Sequence, residues 1–288
     1  MKKFLFPILC VLIISILFQV PAYADMGPKP SVSVSFENLD EGPCYATLLA
    51  KSDSTGPYSV HGGQKEHIIA ASGISEDIWR AFAGYDDTDG YYFLWTVWKV
   101  DVSKKLTWGY YPPDTFKILL YYPDTGRFAV SGVCERYAFD SYFTADASGG
   151  GSYDMTVRKS YLWLPEVISL VVRIIVTIAV EILIALLFGF KSREELMFIA
   201  IVNIVTQVIL NVLLNIINFR SGLLAFFIYY VLLEFVVFTI EAVVYSVFLR
   251  KRSVKAKPVL IYPLYALVAN AVSFGAGAFI ACFVPGIV

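Results

Sequence analysis

The sequence predicts an α+β membrane protein, in which a β-rich extracytoplasmic domain precedes a bundle of four transmembrane helices. Three observations carry this prediction: an export signal at the start, alternating segments in the first half, and four long apolar stretches in the second. Hydrophobic residues make up 57% of the 288 residues and charged residues only 16%, a composition typical of membrane proteins. The predicted domains are residues 1–24, 25–163 and 164–288.

The first 24 residues have the order of a secretory signal peptide. Lys2 and Lys3 precede the apolar run Phe4–Val20, and the small residues Ala22 and Ala24 provide a cleavage site. Because the apolar run is slightly long, a retained membrane anchor is the alternative. Either interpretation places the next segment outside the cytoplasm.

Charge divides the rest of the chain into two parts. Residues 25–163 carry 18 acidic and 12 basic side chains, whereas residues 164–288 carry 6 acidic and 9 basic ones. Neither part has the basic patch of a nucleic-acid-binding protein, so we expect no nucleic-acid partner.

Residues 25–163 show the alternation of β-strands. Val32, Val34 and Phe36 alternate with serines, which is the period-two pattern of a half-buried strand. Further strand candidates are Cys44–Ala50, Tyr91–Val100, Phe116–Tyr122, Arg127–Val133, Ser141–Asp146 and Asp154–Ser160. Short strands at this spacing predict a β-sandwich, with an immunoglobulin-like sandwich as the specific candidate.

Three shorter features lie among these strands. Ser75 and Gly84 are suited to begin and end a helix over Glu76–Ala83. Pro123–Gly126 has turn chemistry and joins two strand candidates as a hairpin. The clustered carboxylates of Asp86–Gly90 suit a hard cation, but the loop lacks the final glutamate of a calcium-binding loop, which favours a plain acidic turn.

The β-rich domain contains two cysteines, Cys44 and Cys134. Export to an oxidising compartment permits a disulfide between them. The sequence leaves this pairing open.

Four apolar stretches follow, each longer than the ~20 residues that cross a bilayer core. They are residues 167–190, 196–219, 223–249 and 259–284. The loop Arg250–Lys257 holds five basic residues and is therefore expected in the cytoplasm. Counting helices from that loop places residues 25–163 and the C-terminal Val288 outside, in agreement with the signal peptide.

Polar side chains recur every three or four residues along the predicted transmembrane helices, so each helix has one polar face. Because such groups avoid lipid, we predict one buried intramembrane polar cluster. Its members are Arg173, Glu181, Asn203, Gln207, Asn211, Glu234, Glu241 and Asn270. Glu181, Asn211, Glu234 and Asn270 are expected to meet near mid-depth, with Arg173 closer to the outside.

Three members of this cluster are carboxylates and one is a cation. A charge in mid-membrane costs roughly 2.5–3.5 kcal/mol on insertion scales, so the carboxylates need protons, a bound cation, water or a partner. Three interpretations follow: a neutral hydrogen-bonded network that holds the helices together, a proton or cation pathway, or a docking surface for another membrane subunit.

Signatures of catalysis are missing from the sequence. The helical half contains no histidine, no aspartate occurs after Asp154, and the motifs of serine hydrolases, zinc proteases and dithiol enzymes are not found. His61 and His67 fit two exposed side chains better than a metal pair. We therefore expect a non-enzymatic protein without catalytic residues, cofactor or metal.

Several stretches resemble a family of exported, polytopic membrane proteins of clostridia-type, Gram-positive bacteria that has no known activity. The resemblance covers most of the β-rich half. It rests on Asp25–Pro30 (DMGPKP), Ser54–Pro57 (STGP), Trp108–Pro113 (WGYYPP) running into Phe116–Tyr121 (FKILLY), and Arg136–Tyr142 (RYAFDSY). It implies a multi-pass protein of the bacterial cell membrane with an extracellular domain, and it implies no activity.

Two classes of function are consistent with this organisation. In the first, the exported domain binds or senses an envelope ligand or partner and the helices anchor it. In the second, the protein is a transporter or channel component that uses its intramembrane glutamates. The sequence favours the first class, because four helices without paired broken helices are unlike most transporters.

Overall fold

The computed structural model describes residues 27–61, 65–149, 154–161, 163–253 and 257–283. Within these ranges the protein is mixed α+β, with its sheets in the N-terminal part and long helices from residue 163 onward. The predicted signal peptide and Val288 lie outside the described residues.

The β-rich region forms two main sheets and a short hairpin. Its strands are β1 (Ser31–Glu37), β2 (Tyr45–Ala50), β3 (Ser54–Thr55), β4 (Tyr58–Ser59), β5 (Tyr92–Phe93), β6 (Trp98–Lys99), β7 (Lys105–Trp108), β8 (Thr115–Tyr122), β9 (Arg127–Val130), β10 (Cys134–Glu135), β11 (Asp140–Asp146) and β12 (Thr156–Lys159).

One main sheet has the order β12-β11-β1-β7, and the other contains β10-β8-β2-β5 with β6 and β9 alongside β2 and β8. β1 runs parallel to β11, which ties the start of the region to its end. Inward-facing residues of both sheets, such as Val34 and Phe143 from one and Ile118 and Leu120 from the other, form a single hydrophobic cluster. The two sheets therefore enclose one core.

Most of the predicted segments are present, but the strands β3, β4, β7 and β10 were not predicted, and two further differences occur. A helix occupies Glu76–Ala83 as predicted, but a further helix, Lys65–Ser72, precedes it; we name them α2 and α1. The predicted strand Tyr91–Val100 is divided into β5 and β6. Trp95 lies between them with a φ of 52°, a left-handed conformation that interrupts the regular strand geometry.

The helical region begins with α3 (Trp163–Leu187) and continues with α4 (Arg193–Val244), a π-helical turn (Tyr245–Leu249), α5 (Arg250–Arg252) and α6 (Ile261–Phe283). Ser192 caps the start of α4: its hydroxyl accepts from the Glu195 amide at 3.2 Å, and the Glu195 carboxylate accepts from the Ser192 amide at 3.0 Å. This reciprocal pair satisfies backbone donors that a helix start leaves free.

α4 consists of two antiparallel arms that reverse at Gly222. Gly222 has φ 78° and ψ −179°, a backbone conformation that suits glycine. Leu210 and Leu214 of the first arm (residues 193–221) pack in one cluster with Phe226 and Val237 of the second arm (residues 223–244). The helical region therefore contains four long segments: α3, the two arms of α4, and α6.

The two regions meet at the reversal of α4. The Phe139 amide donates a hydrogen bond of 2.9 Å to the Phe219 carbonyl. The rings of Tyr137 and Tyr161 pack against the ring of Phe219, with centroids 6.3 and 5.5 Å away. A Cβ atom at Gly222 would lie 2.5 Å from the ring of Phe139, so only glycine fits beneath that ring.

Among the described residues, two helices are long and apolar enough to cross a membrane by length and composition: Leu170–Leu187, and Arg193–Arg252 across both arms of α4. α6 contributes a shorter apolar segment, Ile261–Gly277. The outward surface of these helices carries large apolar side chains, including Ile175, Leu183 and Val231, each more than half exposed.

Candidate functional site

The eight residues of the predicted polar cluster lie on α3, both arms of α4 and α6. Six of them are buried: Glu181, Asn203, Gln207, Asn211, Glu241 and Asn270. Arg173 and Glu234 are partly exposed. The helical region thus buries polar side chains while it exposes apolar ones, the reverse of a water-soluble protein.

Glu241 joins three of the four helical segments. Its carboxylate accepts a hydrogen bond of 2.7 Å from the Thr206 hydroxyl on the first arm and another of 2.7 Å from the Asn270 amide on α6. Because Glu241 is fully buried, these two bonds provide it with a partner on either oxygen.

Glu181, on α3, lies beside this carboxylate without comparable partners. Its side chain is fully buried, and neither carboxylate oxygen accepts a hydrogen bond of normal geometry from the described residues. The Tyr265 hydroxyl donates a hydrogen bond of 3.3 Å to the backbone carbonyl of Glu181 and not to its carboxylate. The carboxylates of Glu241 and Glu234 are its charged neighbours, and the side chains of Asn203 and Ser273 lie near its carboxylate as potential hydrogen-bond partners.

Asn203 connects the first arm to the π-helical turn. Its amide donates 3.0 Å to the hydroxyl of Tyr245, which is fully buried, and 3.1 Å to the Ile199 carbonyl of its own helix. A π-turn shifts the following side chains around the helix axis and is frequent at functional sites. Here the turn begins at Tyr245, the residue that holds Asn203.

Gln207 and Asn211 are bonded along their own helix. The Asn211 amide donates 2.8 Å to the Gln207 carbonyl and 3.4 Å to its side-chain oxygen. Although both residues are buried as predicted for a polar face, the described contacts do not join them to Glu234 or to Asn270.

Nearer the reversal at Gly222, Arg173 and Glu234 belong to a second polar layer. The Arg173 guanidinium lies 5.8 Å from the centre of the Phe226 ring, and both Arg173 and Glu234 interact electrostatically with Tyr230. Glu234 also lines a cavity of about 250 Å³ between the second arm and α6, where Asn270 and Phe274 form part of the wall.

Part of the expected mid-depth group lies together, because Glu234 and Asn270 line one cavity and Glu234 is a charged neighbour of Glu181. Asn270 is bonded to Glu241 and not to Glu234, which lies seven residues, or about 10 Å, nearer Gly222 along the helix. Seven residues are close to two helical turns, so the two glutamates share a face and periodicity does not distinguish them. Sequence reasoning also missed Thr206 as the partner of Glu241, although its spacing of three from Asn203 is compatible with the same face.

The expected acidic turn of the β-rich region contains a buried ion pair. The Lys117 ammonium donates 2.8 Å to Asp87 and 2.6 Å to Asp89, and the side chains of Lys117 and Asp87 are almost inaccessible. Burial opposes both charges, but the hydrogen bonds outweigh it: they lower the pKa of Asp87 and raise the pKa of Lys117. A lysine therefore neutralises the carboxylates that could suit a cation.

The possible disulfide between Cys44 and Cys134 is not formed. Both residues are buried free thiols, and burial raises the pKa of Cys44 to about 12 and that of Cys134 to about 11. Cys134 pairs with Phe116 at the start of β8, whereas Tyr45, the neighbour of Cys44, pairs with Tyr121. Five strand residues span about 16 Å, well beyond the reach of a disulfide.

No family model matches the chain, and no curated protein or solved structure matches it. The resemblance to clostridia-type membrane proteins stays a prediction. Within the described ranges, no group of three or more histidine, cysteine, aspartate or glutamate side chains is placed to hold a metal ion.

Proposed function

We propose that this chain is a multi-pass protein of the bacterial cell membrane that binds a proton or a monovalent cation at Glu181 and Glu241. In this role it is a component of a transporter or channel. The observation that carries the proposal is the fully buried carboxylate of Glu181: neither oxygen accepts a hydrogen bond of normal geometry from the described residues, and a second buried carboxylate lies beside it.

The physical argument is the cost of burying an uncompensated charge. An ionised carboxylate taken out of water without a partner is strongly disfavoured, and a second carboxylate nearby adds repulsion. A proton or a small cation shared between Glu181 and Glu241 removes both penalties. A purely structural network would be expected to resemble the environment of Glu241 alone, in which each oxygen has a donor.

The membrane setting is part of the proposal. We propose four crossings near residues 167–190, 196–219, 223–249 and 259–284, with the β-sandwich of residues 25–163 and the C-terminus outside. The apolar outward surface of the helices and the basic loop Arg250–Lys257 support this topology.

In a cysteine-free background, a cysteine at position 255 should resist an impermeant thiol reagent in intact cells; strong labelling would refute the topology.

Ion flux through the reconstituted full-length protein tests the transport function. Wild type in liposomes should dissipate an imposed proton or potassium gradient faster than empty liposomes do. Glu181→Gln and Glu241→Gln should each reduce that flux by about ten-fold or more, because the amide keeps the shape and loses the titratable group.

Thr239→Val provides the matched control. Thr239 is exposed on the second arm and donates only to the Phe235 carbonyl of its own helix, so this variant should retain wild-type flux. Normal flux in Glu181→Gln, or no flux in folded wild type, would contradict the transport proposal.

A second candidate function is supported by a different observation. The β-rich region has an open cleft of about 500 Å³ that contains lysine and arginine side chains, a size within the range of small-ligand sites. This cleft supports a non-enzymatic binding or sensing role for the extracytoplasmic region, with an envelope ligand or another membrane subunit as the partner. In that case the helices serve as the anchor.

A further inference from the structure

The cleft in the β-rich region lies between the β3–β4 hairpin and the segment that leads into β8. Thr55 and Gly56 of the hairpin form one wall, residues 111–115 form another, and Lys51 and Arg136 extend along the edge. All of these positions are in the region that is proposed to face away from the cytoplasm.

The wall around Tyr111 is built rigidly. Tyr111 has a φ of 47°, a left-handed conformation that a tyrosine adopts only when its surroundings impose it. The Thr55 hydroxyl donates 3.3 Å to the Tyr111 carbonyl, and the Trp108 indole donates 3.0 Å to the Tyr110 carbonyl. A Cβ atom at Gly56 would lie 2.7 Å from the Cβ of Tyr111, so glycine is required for this close approach.

Two of the three charged residues that line the cleft are basic, Lys51 and Arg136, and the third is Asp114, which pairs with Arg136. Arg136 donates from Nε and Nη2 to one oxygen of Asp114, at 3.1 and 2.5 Å. A guanidinium has five N–H donors, so three remain for a ligand. Lys51 is held by the Asp89 carbonyl at 2.5 Å, and the Lys29 ammonium lies 5.6 Å from the centre of the Tyr111 ring.

The uncharged part of the wall combines hydroxyl groups with one exposed aromatic ring. Ser54 and Thr115 provide hydroxyl groups that both donate and accept, as the hydroxyls of a sugar do, and the Ser52 hydroxyl, which donates 2.8 Å to the Ser54 carbonyl, can accept. Tyr111, 43% exposed, offers an apolar face to the C–H groups of a sugar ring.

We propose that this cleft binds an anionic saccharide, a sugar ring that carries a carboxylate or a phosphate. Tyr111 packs on the ring, the hydroxyl side chains bond the sugar hydroxyls, and the free donors of Arg136 hold the acidic group, with Lys51 as a second cation. This inference rests on the second function proposed above, ligand binding by the extracytoplasmic region. It is independent of ion flux through the helices.

Binding of paired sugars to the full-length protein in nanodiscs tests the inference. N-acetylmuramic acid and N-acetylglucosamine share a ring and differ in one carboxylate-bearing group, while N-acetylglucosamine 6-phosphate supplies the phosphate. Calorimetry should show that both acidic sugars bind about ten-fold or more tightly than the neutral one. Equal affinities, or no saturable binding of any of the three, would overturn the inference.

Two variants test separately what the Tyr111 ring and the Arg136 charge contribute to the affinity. Tyr111→Asn keeps a residue that tolerates the left-handed conformation, and it should weaken all sugars about ten-fold. Arg136→Gln should abolish the preference for acidic sugars. Tyr92→Thr, at a tyrosine that is 45% exposed outside the cleft, should bind like wild type. Loss of affinity in Tyr92→Thr equal to that in Tyr111→Asn would contradict the assignment, provided that melting curves show both variants folded.

Binding of a glutamate hexapeptide distinguishes a failure of the saccharide assignment from a failure of the binding function on which it rests. If the peptide binds as tightly as the acidic sugars and depends on Tyr111, the binding function stands and the saccharide assignment is overturned. If the peptide binds at least ten-fold more weakly than the sugars, the saccharide assignment is supported.

Discussion

In the β-rich region a buried ammonium contacts two carboxylates, whereas in the helical region the buried carboxylate of Glu181 lies beside other carboxylates. Lys117 lies within 2.8 Å of Asp87 and 2.6 Å of Asp89. Glu181 lies beside further carboxylates, and its two oxygens have no such contact. A buried charge is tolerated when it is paired, and an uncompensated one requires a proton or a bound cation, which is why we assign a structural role to the first and a functional role to the second.

The largest expected loss of stability follows from removing the ammonium of the buried ion pair. Lys117→Met leaves two carboxylates without their cation, one of them buried, and should destabilise the β-rich region by about 3–5 kcal/mol. Tryptophan fluorescence during denaturant unfolding is a suitable measurement, because four of the five tryptophans lie between residues 79 and 108.

The matched control variant removes a solvent-exposed ion pair. Arg80→Met removes a 2.7 Å contact with Glu76 in which both side chains are mostly exposed, and should cost less than about 0.5 kcal/mol. Equal losses in the two variants would show that the buried pair has no special role.

The same pair predicts a dependence on pH. The pKa of Asp87 is lowered, so its contribution is present above the unfolded value of about 3.9 and is lost as pH falls through the folded value. The pKa of Lys117 is raised, so its contribution is present below about 10.4 and is lost as pH rises through the folded value. The stability difference between wild type and Lys117→Met should therefore be widest between these limits and narrow at both ends.

A smaller effect is expected at Glu241, the helical carboxylate that does have partners. Glu241→Leu leaves one amide hydrogen of Asn270 unpaired in an apolar surrounding, whereas the Thr206 hydroxyl can turn to the Val202 carbonyl of its own helix, so we expect a loss of about 1–3 kcal/mol. Glu241→Gln keeps one acceptor and should cost about half as much or less. Thermal unfolding followed by the helical circular dichroism of the reconstituted protein compares them, and identical melting of the two variants would argue against the assigned contacts.

The last expected effect concerns the stability provided by the contact between the two regions. Gly222→Ala places a Cβ atom against the ring of Phe139 and forces alanine into a left-handed conformation, at about 1–3 kcal/mol. Gly275→Ala is the control, because a Cβ atom added there would meet no atom within 4 Å and the backbone at Gly275 is helical. If adding Phe139→Ala to Gly222→Ala restores none of the lost stability, then the contact with the Phe139 ring is not the cause of that loss.

Local signals predicted much of the fold. The helix Glu76–Ala83 was recognisable from its flanking Ser75 and Gly84, and the long helices from their apolar length. The helix Lys65–Ser72 was missed because its apolar residues form no face. The separation of Cys44 from Cys134 along β8 depends on strand register, which spacing in the sequence does not specify.

The sequence predicted which helix faces carry the polar side chains of the candidate site, but not which of these side chains contact one another. Periodicity placed Glu234 and Glu241 together, and only the packing of α6 against the second arm selects Glu241 as the partner of Asn270. The position of Glu181 beside Glu241 is likewise a property of the assembled helices, because it depends on how α3 packs against the other segments.

Infrared spectroscopy of the reconstituted protein at neutral pH tests the central claim most directly. We predict that wild type shows the carbonyl band of a protonated carboxyl group, or a carboxylate band that shifts when sodium and potassium are removed, and that Glu181→Gln abolishes this signal. An ionised Glu181 whose band is unchanged after both cations are removed would contradict the account.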